Sequence, residues 1–273
     1  MEKQVQRALG RSYNQLRPVS ISYNVFGYAA GSVLFELGNT QVLCSVTLQP
    51  NVPPFLKGTK PGWLTAEYAM LPTSSQQRVA RESSSGKRND RAIEISRLIG
   101  RCLRSVLDLS LLGERTIMVD CDVLEADGST RTASITGAFA ALKSAQEHWL
   151  KSGQISAPLI IDELVAVSAG VMGHAVLLDL DYSEDSMIDA DYNFVLTRSE
   201  RLIEIQGAAE KNAISWNEFD QMKQVVSVGV KKLFDILDAS WAPKSVASQP
   251  DVPSKERTAT PLFSLKNRMP TAV

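Results

Sequence analysis

Strand-like runs in this chain come in neighbouring groups, and long stretches of helical period separate the groups. Val19 and Ile21 alternate, Val33 to Leu37 follows, and Val42, Cys44 and Val46 share one face, with turns supplied by Gly31 and the Gly38-Asn39 pair. Trp63 to Met70 reads as a further strand closed by Pro72, and Thr116 to Leu124 as another, in which Ile117, Val119, Cys121 and Val123 alternate. Leu164 to Val171 and Ala175 to Leu180 form a hairpin pattern about Met172-Gly173-His174. Asn193 to Leu196 and Leu202 to Ile205 form a second, turning at Ser199-Glu200. Between these groups, Arg91 to Leu109 spaces Ile95, Leu98, Ile99, Cys102, Leu103, Val106 and Leu107 by threes and fours, as an amphipathic helix does. Ile135 to Leu150 reads as a second helix, and a third starts at Ser215, where Glu218 completes a capping-box pattern. Antiparallel groups separated by long helices specify an α+β class, with mixed, mostly antiparallel sheets, rather than a doubly wound parallel sheet.

The chain has 273 residues, enough to bury a substantial core. Residues 1–240 read as one folded domain. Beyond Ser240, five prolines punctuate a polar stretch without period, so 241–273 is expected to be a disordered, mildly basic tail. With 29 basic and 30 acidic residues the net charge is −1, so any polyanion site must arise from local clustering. Cys44, Cys102 and Cys121 lie far apart in sequence among apolar neighbours, an arrangement that argues for a reducing, cytoplasmic setting rather than a disulfide framework. No segment reaches the length of a membrane span.

Nucleophilic and zinc chemistries find little support. His148 and His174 are the only histidines, well apart and read as solvated. Ser85-Gly86-Lys87 lacks the rest of a Walker sequence. What remains is arginines and carboxylates. Asp127-Gly128-Ser129-Thr130-Arg131-Thr132-Ala133-Ser134 lies between a strand and a helix, where free N–H groups, hydroxyls and a guanidinium favour an anion. Arg91 opens the earlier helix, and taken alone it is equally a solvated first-turn residue. Two guanidiniums converging on one anion would give the bidentate contacts that phosphate favours. The acidic run Asp179, Asp181, Glu184, Asp185, Asp189 and Asp191 reads either as a solvated loop or, at Asp185 and Asp191 just before a strand, as a place for Mg²⁺. Thr73 to Lys87 reads as an exposed loop carrying Arg78, Arg81, Lys87 and Arg88.

Longer motifs go further. Gly31-Ser32-Val33-Leu34, Gly62-Trp63-Leu64-Thr65-Ala66-Glu67-Tyr68, Arg97-Leu98-Ile99-Gly100-Arg101, Asp120-Cys121-Asp122-Val123-Leu124 and Thr130-Arg131-Thr132-Ala133-Ser134 resemble the ribonuclease PH family. The similarity runs in order from about Arg11 to about Leu237. It implies a phosphate-dependent 3′-to-5′ exoribonuclease that trims precursor tRNA and releases nucleoside diphosphates, with Mg²⁺ as cofactor and a homo-hexamer built as a trimer of dimers. It also implies residue roles: phosphate binding at Arg91, Ser129, Thr130 and Arg131, catalysis and metal binding at Asp185 and Asp191, and RNA binding at Arg78 and Arg81.

Three departures accompany the resemblance. Ser129 stands where relatives carry a second glycine: a positive φ there would strain the turn, whereas an ordinary φ would leave the hydroxyl as an extra donor. Thr73 replaces a loop arginine. Asn89-Asp90 precedes Arg91, so that Asp90 either caps the helix or slightly disfavours phosphate. These departures keep a second class of function open, a catalytically silent exosome-like ring subunit that binds RNA or scaffolds a complex.

Overall fold

The computed structural model describes residues 7, 10–81, 86 and 89–241. The expected tail beyond residue 241 lies outside the described residues, as do Lys87 and Arg88. Trp241 belongs to the folded body, where its ring meets Tyr23 edge-on at 5.1 Å.

Two sheets carry the architecture. In the first, β1 (Val19–Tyr23), β2 (Gly31–Leu37), β3 (Thr40–Gln49), β4 (Trp63–Met70) and β5 (Thr116–Glu125) lie in the order β1-β2-β3-β5-β4. Every pairing is antiparallel except β4 with β5, which is parallel. The second sheet is antiparallel throughout: β6 (Leu164–Met172), β7 (Ala175–Leu178), β8 (Ala190–Thr197) and β9 (Leu202–Ala209), in the order β7-β6-β8-β9.

Four helices cover these sheets. The first, α1 (Asp90–Arg104), packs its apolar stripe on β4. The second, α2 (Thr130–Lys151), is wedged between β2 and β3 on one side and β6 on the other, and is buried nearly all round. Small residues permit this: a Cβ on Gly31 would sit 2.2 Å from the Ala141 carbonyl oxygen, and one on Gly137 2.9 Å from the Phe35 Cβ. A single turn, α3 (Tyr182–Asp185), leads into β8, and α4 (Trp216–Ser240) covers β6 and β7. Helices on both sides of β6 explain why its sequence is apolar but for Ser168 and buried at every position except the last.

The α+β expectation holds, and the Ser215–Glu218 capping box forms as read. Several boundaries move. The second helix begins at Thr130 rather than Ile135, because its first turn is polar and carries no apolar period, yet Thr130, Thr132 and Ser134 are buried. The first helix ends at Arg104, after which Asp108 caps a short 3-10 turn at Leu109–Leu112 through the Ser110 N–H. Asn89, not Asp90, caps α1, its side chain accepting from the Arg91 N–H. Asp191 lies inside β8, opposite Gly170 and Ala208, rather than in a segment before it. Cys44 and Cys121, far apart in sequence, face each other across β3 and β5, and all three cysteines are free and buried.

Candidate active site

The strand β5 delivers the chain to the turn Asp127–Ser129, and α2 departs from it. Gly128 has φ +77°, and a Cβ there would lie 2.6 Å from the Leu180 carbonyl oxygen, so only glycine lets the turn rest on that backbone. Ser129 adopts φ 58° and ψ 26°, the left-handed region, and precedes the first helical residue. Positive φ is thus the alternative that holds. The Ser129 hydroxyl points inward, donating to the Leu180 carbonyl at 2.8 Å and lying 2.7 Å from the Ser168 hydroxyl. The group it could offer an anion is therefore its backbone N–H, next to the first turn of α2, where helix N–H groups have no intrahelical partner.

Thr130 and Arg131 open that turn. Thr130 Oγ1 accepts from the Tyr68 hydroxyl at 3.1 Å. Burial pushes the Tyr68 phenol above its ordinary pKa, while its bond to Thr130 and the charges of Arg91 and Arg131 pull it back. One phenol thus feels both guanidiniums. Arg131 is held by Glu94 at 3.0 Å and by Gln206 at 3.4 Å, and Gln206 in turn donates to Glu94 at 2.8 Å. The Arg131 Nε is buried without a hydrogen-bond partner among the described residues. Arg91 is anchored by its backbone at the helix start, and its guanidinium donates no hydrogen bond to protein among the described residues. Beside them Asp90, Ile93, Glu94, Arg97, Arg101 and Gln206 line a cleft of about 330 Å³.

The acidic run divides in two. Asp179, Asp181 and Glu184 are buried and serve structure, which corrects their reading as a solvated loop. Arg7 Nε binds Glu184 at 2.7 Å, Arg11 reaches Asp181 at 3.2 Å and Glu184 at 3.0 Å, and Arg17 binds Asp179 at 2.7 Å. Asp181 and Glu184 also close a capping box around α3. Asp189 accepts from the Gly173 N–H at 2.6 Å and from Asn212 at 2.7 Å.

Asp185 and Asp191 remain, with no ion pair among the described residues. Burial is the largest influence raising the Asp185 pKa, followed by the charges of Asp191 and Glu210, although Asp185 keeps an exposed edge. Burial likewise raises Asp191, then Glu210. Arg91 and Arg131 act in the opposite direction on both carboxyls. Two carboxylates and two guanidiniums thus share one electrostatic field. Among the described residues no group of three or more His, Cys, Asp or Glu side chains could cage a metal. A cation at this pair would need oxygens from water or substrate to complete its shell, as Mg²⁺ usually does.

Arg78 and Arg81 are both exposed on the loop after β4. The root of that loop is tied to the end of β5: Leu71 N–H donates to the Val123 carbonyl at 3.0 Å and Ala126 N–H to the Ser74 carbonyl at 2.7 Å. Ala126 immediately precedes the Asp127–Ser129 turn. Glu94, Gln206, Tyr68 and the arginines at 7, 11 and 17 escaped the sequence reading, because their partners lie 37 to 177 residues away. No local pattern encodes such pairs.

Comparison with known proteins gives the family. The model of the 3′ exoribonuclease family, domain 1, matches residues 15–147, and that of domain 2 matches residues 162–232. Ribonuclease PH from Tropheryma whipplei strain Twist is 50% identical over 237 residues, which are 86% of this chain and 96% of that protein. The Archaeoglobus fulgidus exosome with RNA bound to the active site superposes with a TM-score of 0.73 at 25% identity, covering 85% of this chain and 92% of that one. Rice Rrp46 shares the fold, with a TM-score of 0.70 at 23% identity over 86% of this chain and 99% of its own. A sequence half identical along nearly the whole body, matched by the models of both domains, places the chain in the ribonuclease PH family of 3′ exoribonucleases.

Proposed function

We propose that this protein trims the 3′ ends of precursor tRNA and other RNAs by phosphorolysis. The observation that carries the reading is that the Asp185 and Asp191 carboxyls both feel the opposing charges of Arg91 and Arg131. An inorganic phosphate oxygen attacks the terminal phosphodiester, the bond from phosphorus to the upstream 3′ oxygen breaks, and the last nucleotide leaves as its diphosphate. The shortened RNA keeps a 3′ hydroxyl once that oxygen takes a proton, and the reverse reaction adds nucleotides.

The main obstacle is charge: an anionic nucleophile must approach an anionic diester. Arg91, Arg131, the Thr130 hydroxyl and the N–H groups at Ser129 and the start of α2 gather the phosphate and neutralise it in place. Such a reaction needs positioning and electrostatics rather than a covalent protein intermediate. Asp185 and Asp191 are the residues that would hold Mg²⁺, which when bound supplies positive charge to the substrate oxygens. Arg78 and Arg81, free on a loop rooted beside the phosphate turn, suit the RNA backbone.

In this reading 1–240 is the catalytic domain, 241–273 an appended tail, and the assembly a hexameric ring, a trimer of dimers. Three free buried cysteines suit the cytoplasm, and among the described residues no helix is long and apolar enough to cross a membrane. Incubation with a 3′-extended tRNA, Mg²⁺ and phosphate is expected to release nucleoside diphosphates. Release of monophosphates at a rate independent of phosphate would overturn the mechanism.

A further inference from the structure

The phosphate-binding turn and the turn that carries Asp185 come from different parts of the chain, yet they are packed backbone to backbone. Gly128 lies against Leu180, Asp181 and Tyr182, and the Tyr182 N–H donates to the Asp127 carboxylate at 3.4 Å. Reaction geometry depends on this seam, because phosphate is gathered on one side of it and the aspartates stand on the other.

A buried guanidinium spans the seam. The Arg17 side chain is 3% exposed. Its Nε donates to Asp179 Oδ2 at 3.0 Å, its Nη2 to Asp179 Oδ1 at 2.7 Å and to the Leu180 carbonyl at 3.2 Å, and its Nη1 to the Asp127 carbonyl. The Arg17 backbone N–H also donates to Asp179 Oδ2 at 2.6 Å. Its stem is pressed by the tight turn between β2 and β3, where a Cβ on Gly38 would come within 2.7 Å of Arg17 Cδ. One side chain therefore holds the first residue of the phosphate turn and the two residues that lead into α3.

Ser168 makes a second tie from β6. Its hydroxyl accepts from the Leu180 N–H at 3.0 Å and meets the Ser129 hydroxyl at 2.7 Å, while its carbonyl accepts from the Asp179 N–H at 2.7 Å. Leu180 is thus gripped through both its N–H and its carbonyl by groups that also hold Asp127 or Ser129. Neither Arg17 nor Ser168 stands among the groups that would touch substrate.

We propose that Arg17 is a positioning residue for phosphorolysis: with Ser168, it holds the phosphate-binding turn in register with the turn bearing Asp185. The inference rests on the phosphate site described above. The guanidinium is suited to this role because three separated nitrogens make four contacts, to a carboxylate and two carbonyls, more than the three N–H groups of a single ammonium nitrogen can supply. An in-line displacement tolerates little error, and a shift of about 1 Å between its parts can cost on the order of 100-fold in rate.

Arg17→Lys, which keeps the charge beside Asp179, is the informative variant. In the full-length enzyme with the fold verified by circular dichroism, it is expected to raise the KM for phosphate about tenfold and lower kcat about tenfold, with the KM for RNA unchanged. Ser168→Ala, which leaves every ion pair in place, is expected to move the same two constants in the same direction by a smaller factor, and it decides the matter if Arg17→Lys does not fold. Purely structural roles would lower thermal stability and leave the phosphate KM where it was. A folded variant with unaltered phosphate KM and kcat overturns the proposal. Arg131→Ala, run alongside, separates the two levels: if it leaves phosphate KM unmoved, the phosphate site itself is misplaced, whereas a large effect there with none at Arg17 removes this inference alone.

Discussion

Arg131 reaches Glu94 at 3.0 Å with one Nη while its Nε stays buried and, among the described residues, unpartnered. The ion pair is partly exposed, with side chains 22% and 43% accessible, so it contributes little to stability, about 0–1 kcal/mol. Its effect is to aim the guanidinium. Arg131→Ala is therefore expected to cut kcat/KM for phosphate by about 100-fold or more, in line with removal of one charge-stabilising donor, while the melting temperature moves by only a few degrees. Phosphate titration of initial rates together with a melting curve checks both halves.

Asp185 carries a second prediction. Asp185→Asn should abolish diphosphate release while leaving the fold and phosphate binding intact, and chelation of divalent cations should do the same to the unaltered enzyme. Phosphate-induced stabilisation in a melting assay reads the retained binding. A protein inert before the substitution as well as after it would favour the silent ring subunit.

Arg78 and Arg81 should act on RNA alone. Replacing either with alanine is expected to weaken binding of long RNA several-fold and to reduce the salt slope of binding by about one, with phosphate KM unchanged. Binding isotherms at several salt concentrations test it.

The buried acid behind the site should show in pH dependence. Burial alone would raise the Asp181 pKa, but the Glu184 N–H, the Ser183 hydroxyl and the charges of Arg11 and Arg17 outweigh it and hold the carboxyl below its ordinary value. A depressed folded pKa means that the unfolded chain takes up the proton first. The contribution is therefore fully present above the unfolded pKa, about 3.9, and is lost as pH falls through the lower folded value. Asp181→Asn, which keeps a capping oxygen, should lower stability at pH 7 by about 1–3 kcal/mol. The difference from the unaltered protein should close below about pH 3.9; urea midpoints across that range measure it.

Ser129 combines a strained backbone with two hydrogen bonds. Ser129→Ala keeps the left-handed φ and loses both bonds to Leu180 and Ser168, so it should destabilise by about 1–3 kcal/mol. Ser129→Gly loses the same bonds but relieves the backbone, and is expected to be milder by about 1 kcal/mol. Equal effects would show that the conformation carries no strain.

Periodicity located most strands and the three long helices because burial repeats at 2 or 3.6 residues along them, whereas β9, which has no buried residue, was legible only as the second arm of a hairpin pattern. It failed at the first turn of α2, where Thr130, Thr132 and Ser134 are buried but polar, and at α3, a single turn held by a capping box rather than by an apolar face. The motif residues Arg91, Thr130, Arg131, Asp185 and Asp191 were legible one by one. Their supports were not, since Arg17 meets Asp179 across 162 residues and Tyr68 meets Thr130 across 62.

Sequence by itself determined the class of fold and the family, and it offered candidates for the groups that would meet phosphate and metal, because patterns and motifs are local. Only the tertiary structure decided which acids of the run are buried as counter-ions and which are not, and that Ser129 turns its hydroxyl inward. Those outcomes depend on which distant segment arrives to satisfy a buried charge or carbonyl. Low-dielectric surroundings make an unpaired group too costly to leave, so the partner brought by the fold sets each side chain's role.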